Sequence, residues 1–174
     1  NGTGNISAGN INATHIEKST YKSDGVHTSL STTYISGTGT AGTDNTAQTV
    51  IAINVSANTL TQVGDRMRVR AYWIGDTGTA VTGASILNGV TIASTTDSGA
   101  ATFQVTEAWL HYIDATHANI IAMAGGGLDT SISAANVTGF NWASAQSLNL
   151  TQNAIGNNHI VVYAVIVDVF PKGY

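Results

Sequence analysis

Apolar residues recur at every second position through most of the chain and are divided by clusters of Gly, Asn, Asp and Thr, a pattern that predicts strands and turns rather than helices. Asp65-Arg66-Met67-Arg68-Val69-Arg70-Ala71-Tyr72-Trp73 alternates most clearly. Met67, Val69, Ala71 and Trp73 take one face of that strand, and Arg66, Arg68, Arg70 and Tyr72 take the other. Further strands are predicted at Thr46–Val55, Thr102–Ile113, His117–Ala124, Gln146–Leu150 and His159–Phe170, with a short first strand at Tyr34–Ile35. Within Ala84–Ala93, the run Leu87-Asn88-Gly89-Val90 places Asn-Gly between apolar flanks, which predicts a tight hairpin. About eight strands without intervening helices indicate an all-β antiparallel sandwich, and a jelly roll matches best in strand number and size. Pro171, the one proline, falls just after the last strand, where it can end the ladder without breaking it.

The last strand is unusual because both of its faces are apolar. Ile160, Val162, Ala164 and Ile166 alternate with Val161, Tyr163, Val165 and Val167. A strand of this kind needs cover on both sides, and no helical periodicity exists to supply it. A second sheet would cover one face and a neighbouring subunit the other, with Val161, Tyr163 and Val165 as the interface row. The N-terminus adds a second hint of assembly. The pentads Gly4-Asn5-Ile6-Ser7-Ala8 and Gly9-Asn10-Ile11-Asn12-Ala13 lead on to Ile16 at the same five-residue spacing. Short extended pieces joined at the glycines would direct Ile6, Ile11 and Ile16 toward one axis, a stem that only symmetry mates could bury; a Gly/Asn/Ser leader is the competing interpretation. The expected organisation is therefore an extended stem and linker over 1–33 and a knob domain over 34–174.

Length and composition narrow the class. A chain of 174 residues suits one substantial core. Only 9% of its residues are charged, against about a quarter in an average globular protein, so solubility rests on Thr, Ser, Asn and Gly. A formal net charge of -4 gives no general attraction for nucleic acid or an anionic membrane, and neither is expected as a partner. With no cysteine there is no disulfide, no thiolate metal site and no thiol nucleophile.

The passage Ser56-Ala57-Asn58-Thr59-Leu60-Thr61-Gln62-Val63-Gly64-Asp65, leading into the Arg-alternating strand, resembles a pattern in tailed-phage virion proteins. Leu87-Asn88-Gly89-Val90, Glu107-Ala108-Trp109-Leu110 and Asn157-Asn158-His159-Ile160-Val161-Val162 are similar to the same jelly-roll domains, and the Gly-Asn-Ile pentads resemble fibre stems. The resemblance implies a non-enzymatic homotrimer on the virion surface, serving as a tail-fibre tip, head fibre or capsid decoration. It also implies contact with other virion proteins, sometimes a host-surface glycan, and no cofactor. No catalytic residues come with it. The competing function is a secreted monomeric carbohydrate-binding module or lectin.

Candidate chemistry is sparse. Arg66, Arg68 and Arg70 make half of the basic complement of six. Beside Tyr72 they could hold an acidic glycan or another anion, or else pair with Asp and Glu across a strand or subunit boundary. Asn141 and Trp142 could form a sugar platform, with stacking from the ring and hydrogen bonds from the amide, or Trp142 could fold back over the core. His111, Asp114 and His117 include metal-ligating types, but an Asp-initiated turn accounts for them as well. No Gly-x-Ser-x-Gly elbow and no paired acids of glycosidase type occur, so an enzyme is not expected.

Overall fold

The computed structural model describes residues 28–34, 47–75, 81–97, 103–125, 132–153 and 160–172. Ile6, Ile11 and Ile16, on which the stem expectation rests, lie outside the described residues, and so does the side chain of Val161. Ten strands occur among the described residues: β1 (Thr28–Tyr34), β2 (Ala47–Val55), β3 (Arg66–Gly75), β4 (Val81–Leu87), β5 (Val90–Asp97), β6 (Phe103–Asp114), β7 (His117–Gly125), β8 (Ile132–Thr138), β9 (Gln146–Asn153) and β10 (Ile160–Phe170). They form two antiparallel sheets. The larger has the order β1-β10-β3-β6-β7-β8 and the smaller β2-β9-β4-β5. The expected all-β sandwich is present, and no described residue is helical.

Local chemistry accounts for the tight turns. Asn88 and Gly89 sit at φ 49° and 82° between β4 and β5, the doubly left-handed geometry that Asn-Gly favours in a two-residue hairpin. Between β6 and β7, the Asp114 carboxylate accepts the backbone N–H of Thr116 at 2.8 Å and of His117 at 3.0 Å, which closes the turn. Ahead of β3, the buried Asp65 carboxylate accepts from Thr61 N at 2.8 Å, Gln62 N at 3.1 Å and the Thr61 hydroxyl at 3.1 Å. Its other oxygen accepts from Lys172 N at 2.7 Å, tying the segment after β10 to the entrance of β3.

The core lies between the inner faces of the sheets. Met67, Val69, Ala71 and Trp73 project from β3 as the alternation requires, opposite Leu87, Ile92, Leu148 and Leu150 from the smaller sheet. Toward Trp73 the interior becomes polar: the indole N–H donates to Thr106 Oγ1 at 3.0 Å, and Thr95 donates to Gln104 Oε1. Gly83 allows the sheets to approach there, because a Cβ at that position would stand 2.7 Å from the Trp73 ring.

Three expectations change. Thr28–Thr33, which fall in the expected linker, join Tyr34 of the expected first strand in β1, which pairs with β10 over Thr28↔Val169 to Tyr34↔Ala164, so strand structure starts before residue 34. Ile132–Thr138 forms β8, for which no strand was expected. The third change concerns β10. Val162 pairs with Trp73 and Ala164 with Tyr72, which leaves Tyr163 as the extra residue of a β-bulge. The bulge re-phases the strand, so Val162, Val165, Val167 and Val169 are all buried while Tyr163 is exposed. Val165 therefore belongs to the sandwich core rather than to an outward row.

Candidate functional site

Strict alternation along β3 and β6 brings their outward side chains into register on the outer face of the larger sheet. The rows run Phe170–Arg66–His111, Asp168–Arg68–Trp109, Ile166–Arg70–Glu107, Ala164–Tyr72–Val105 and Ile74–Phe103. β7 extends the middle rows with Asn119 opposite His111, Ile121 opposite Trp109, Met123 opposite Glu107 and Gly125 opposite Val105.

The arginines are held within this lattice. Arg68 donates from Nε to Asp168 Oδ2 at 3.0 Å and from Nη2 to the same oxygen at 2.5 Å. Its guanidinium also lies 5.4 Å from the Trp109 ring centroid and 5.8 Å from that of Phe170, and the two rings pack at 5.2 Å. Arg70 donates from Nε to Glu107 Oε2 at 2.6 Å, with an ion pair from Nη2 to the same oxygen. Glu107 Oε1 accepts from the Trp109 indole at 2.7 Å. Burial pushes the Glu107 carboxyl up, but the hydrogen bonds from Trp109 and Arg70 and the nearby positive charge outweigh it and hold the group below its ordinary value. Hydrogen bonds to Tyr72 and Glu107 raise the Arg70 guanidinium further above its usual value. Arg66 stands 6.0 Å from the Phe170 ring. Burial and the charge of Arg66 together lower the His111 imidazole, favouring its neutral form.

The arginine row has therefore taken the cross-strand pairing rather than presenting bare cations: two of its guanidinium groups are neutralised by carboxylates of the same face. Beside them, Arg70, Tyr72, Val105, Glu107, Met123 and the end of β7 line an open hollow of about 450 Å³. Its floor is mainly apolar, and Tyr72 packs on Phe103 with ring centroids 5.9 Å apart. Phe103, Ile121 and Met123 are 52%, 48% and 54% exposed, and Ile74 and Tyr163 are more than a third exposed. Among the described residues the only other exposed large hydrophobic side chain is Val63, in the segment before β3.

The remaining candidates lie elsewhere. Trp142 is buried, stacked on Phe140 at 5.2 Å and 23°, with its backbone bonded to Ala115 O and Asn58 N. It fills the core and offers no sugar platform. Asn141 remains exposed, donating from its backbone to Gln146 Oε1 at 3.1 Å and from its amide to Ser144 Oγ at 3.2 Å. Asp114 and His117 meet at 2.8 Å as part of the β6–β7 turn. The N–H groups of that turn, foremost that of Thr116, and the His117 ring hold the Asp114 carboxyl down to about 2. No group of three His, Cys, Asp or Glu suited to a metal ion occurs among the described residues.

Sequence reasoning found the arginine row but missed its neighbours Phe103, Glu107, Trp109, Ile121, Met123 and Asp168. The alternation of Phe103, Val105, Glu107, Trp109 and His111 carried their common face, but only the pairing of β3 with β6 reveals that this face is the one bearing the arginines. No protein-family model and no curated protein matches this chain.

Proposed function

We propose that this chain is a non-enzymatic jelly-roll knob of a phage virion, assembling as a homotrimer in a fibre or decoration and displayed at the particle surface. The observation that carries the fold assignment is the strand order. Within the larger sheet the run β1-β10-β3-β6 faces β2-β9-β4-β5, the nested alternation of a jelly roll, and the β7–β8 hairpin is an added extension. The virion assignment draws on the sequence resemblance. The absence of a catalytic role is supported by the acids of the candidate face: Glu107 and Asp168 are engaged by Arg70 and Arg68 instead of converging on a cleft.

Contact with a host-surface glycan is a secondary element of this proposal and rests on the outer face alone, since Trp142 is spent in the core. The apolar floor beside the Arg70–Glu107 pair is the one feature that favours the competing monomeric lectin. Light scattering on the purified chain at micromolar concentration separates the two. Three times the chain mass is expected, whereas a stable monomer that binds on a glycan array would replace the knob with the lectin. Proteomic analysis of purified particles of the encoding phage checks the placement, and a virion lacking the chain would overturn it.

A further inference from the structure

The oligomeric part of the preceding proposal leaves open which surface the copies share. We infer that they meet through the outer face of the larger sheet, centred on Phe103, Ile121 and Met123, and that its occupant is a second copy of this chain. This inference rests on the trimeric assignment and specifies its interface.

Three observations support it. The first is the segregation of exposed apolar side chains: Ile74, Phe103, Ile121, Met123 and Tyr163 all project from the larger sheet, and none of the described exposed large hydrophobic residues projects from the smaller one. Exposed apolar side chains gathered on one sheet, and set among the paired charges of Arg70 and Glu107, favour an interaction surface there. Aromatic residues, Met and Arg together form the composition enriched at interface centres.

The second is charge. Copies of one face brought together around a three-fold axis must tolerate their own charges. An unpaired row of arginines would repel its copy, but Arg68 is neutralised by Asp168 and Arg70 by Glu107 within the same face. The surface is thus electrostatically compatible with itself. The same pairing weakens it as a site for a polyanion, because the donors of Arg68 and Arg70 are already committed to carboxylates, while Arg66 lies against a ring instead.

The third is area. Six strands at about 4.8 Å spacing, with strands of about 30 Å, give a face of roughly 700 Å² in plan, which the two neighbours of a trimer would share, against the ~800 Å² per partner of a standard two-body interface. The hollow beside Met123 is open and broad, a shape suited to a protruding side chain of another copy rather than to an enclosed small ligand.

The test uses the full chain. Phe103→Asp and Met123→Asp alter half-exposed positions outside the core, with Ala52→Asp on the exposed side of β2 as the control. Sedimentation and light scattering should show the first two as folded monomers, with the subunit dissociation constant raised about 100-fold or more, and the control still assembled. Circular dichroism and the thermal midpoint verify folding. Because the chain has no cysteine, Met123→Cys and Ala52→Cys each supply a unique thiol. Maleimide should label Met123→Cys about ten times more slowly than Ala52→Cys in the assembled protein, and equally fast after dilution to monomer.

Trimers that persist in both Asp variants, or equal labelling in the assembly, would overturn this face while leaving the trimer intact. A monomeric wild type would overturn the trimer and this interface with it. Slow labelling of Met123→Cys in a monomer would show that the chain's own residues 1–27 or another segment cover the face, and labelling slowed only by added glycan would make it a lectin surface. Either result would overturn a second copy as the occupant.

Discussion

The two sheets share one core and turn very different surfaces outward. On the smaller sheet, the exposed and half-buried positions are Thr49, Val50, Ala52, Ile53 and Asn54 on β2, Ser147, Asn149 and Asn153 on β9, Thr82, Ala84 and Ile86 on β4, and Val90, Thr91, Ser94 and Thr96 on β5. They are uncharged, none is an exposed large hydrophobic residue, Val50, Ile53 and Val90 pack against the core, and Asp97 at the end of β5 is the one charged residue in those four strands. The larger sheet presents Arg66, Arg68, Arg70, Glu107 and Asp168 among Tyr72, Phe103, Trp109, Ile121, Met123 and Phe170. The fold demands alternation from both sheets equally, so it does not dictate the difference. A face that only needs water can be made of Thr and Ser, whereas the interface proposed above calls for large side chains with their charges tied down.

The comparison is tested most severely by moving one change between the inner and outer surfaces of the larger sheet. Val165→Asp places a charge in the sealed core and should cost about 4 kcal/mol or more, abolishing cooperative unfolding in urea. Arg68→Ala should cost about 3 kcal/mol, because it strips the arginine from a carboxylate that is only 2% exposed; chemical denaturation at neutral pH measures it. Gly83→Ala acts on the smaller sheet from within, pressing a methyl group against the Trp73 ring. A loss of about 2 kcal/mol and a changed Trp fluorescence are expected.

A graded effect should follow from acid. Burial raises Asp65, but the N–H groups of Lys172, Thr61 and Gln62 outweigh it, so Asp65 and Glu107 both lie below their ordinary values. Carboxyls lowered by folding contribute stability that is fully present above the unfolded value of about 4 and is lost as pH falls through the folded one. Hydrogen exchange between pH 5 and 2 should therefore lose protection in β3 and β6 before β4 and β9. The smallest effect belongs to Ile121→Ser, which should change monomer stability by about 0.5 kcal/mol or less; a larger loss would show that the outer face contributes to the fold itself.

The sandwich was legible because its central strands bury every second residue. β3, β4 and β6 as far as Leu110 alternate without interruption, and Asn88-Gly89 announces its own turn. The two strands that the pattern does not show, β8 entirely and β1 but for Tyr34, are edges of the larger sheet with a neighbour on one side only. Thr-Ser-Leu-Ser-Thr-Thr-Tyr and Ile-Ser-Ala-Ala-Asn-Val-Thr carry too little apolar alternation to be told from loops, and Asn136 breaks β8 further with φ at 60°. The facing of β10 was illegible for another reason. In a run of Ile, Val and Ala a one-residue bulge leaves no trace in the pattern, and the choice of inner row depends on where Tyr163 is expelled. Of the candidate site, the arginine row could be read locally, but its partners could not. Glu107 lies 37 residues from Arg70, and register alone joins them.

The pairing of Arg68 with Asp168 spans 100 positions of sequence, and β1 reaches β10 over a still longer separation. Closing such distant segments comes late and makes folding slow, whereas the β4–β5 and β6–β7 hairpins can form as soon as their own residues meet. During synthesis β3 and β6 must wait, with β3 lacking one neighbour, until β10 has emerged. The surface around Arg68 is thus complete only when β10 docks. Assembly through that surface would then be timed by the emergence of β10, since a subunit without it lacks the carboxylate that pairs with Arg68.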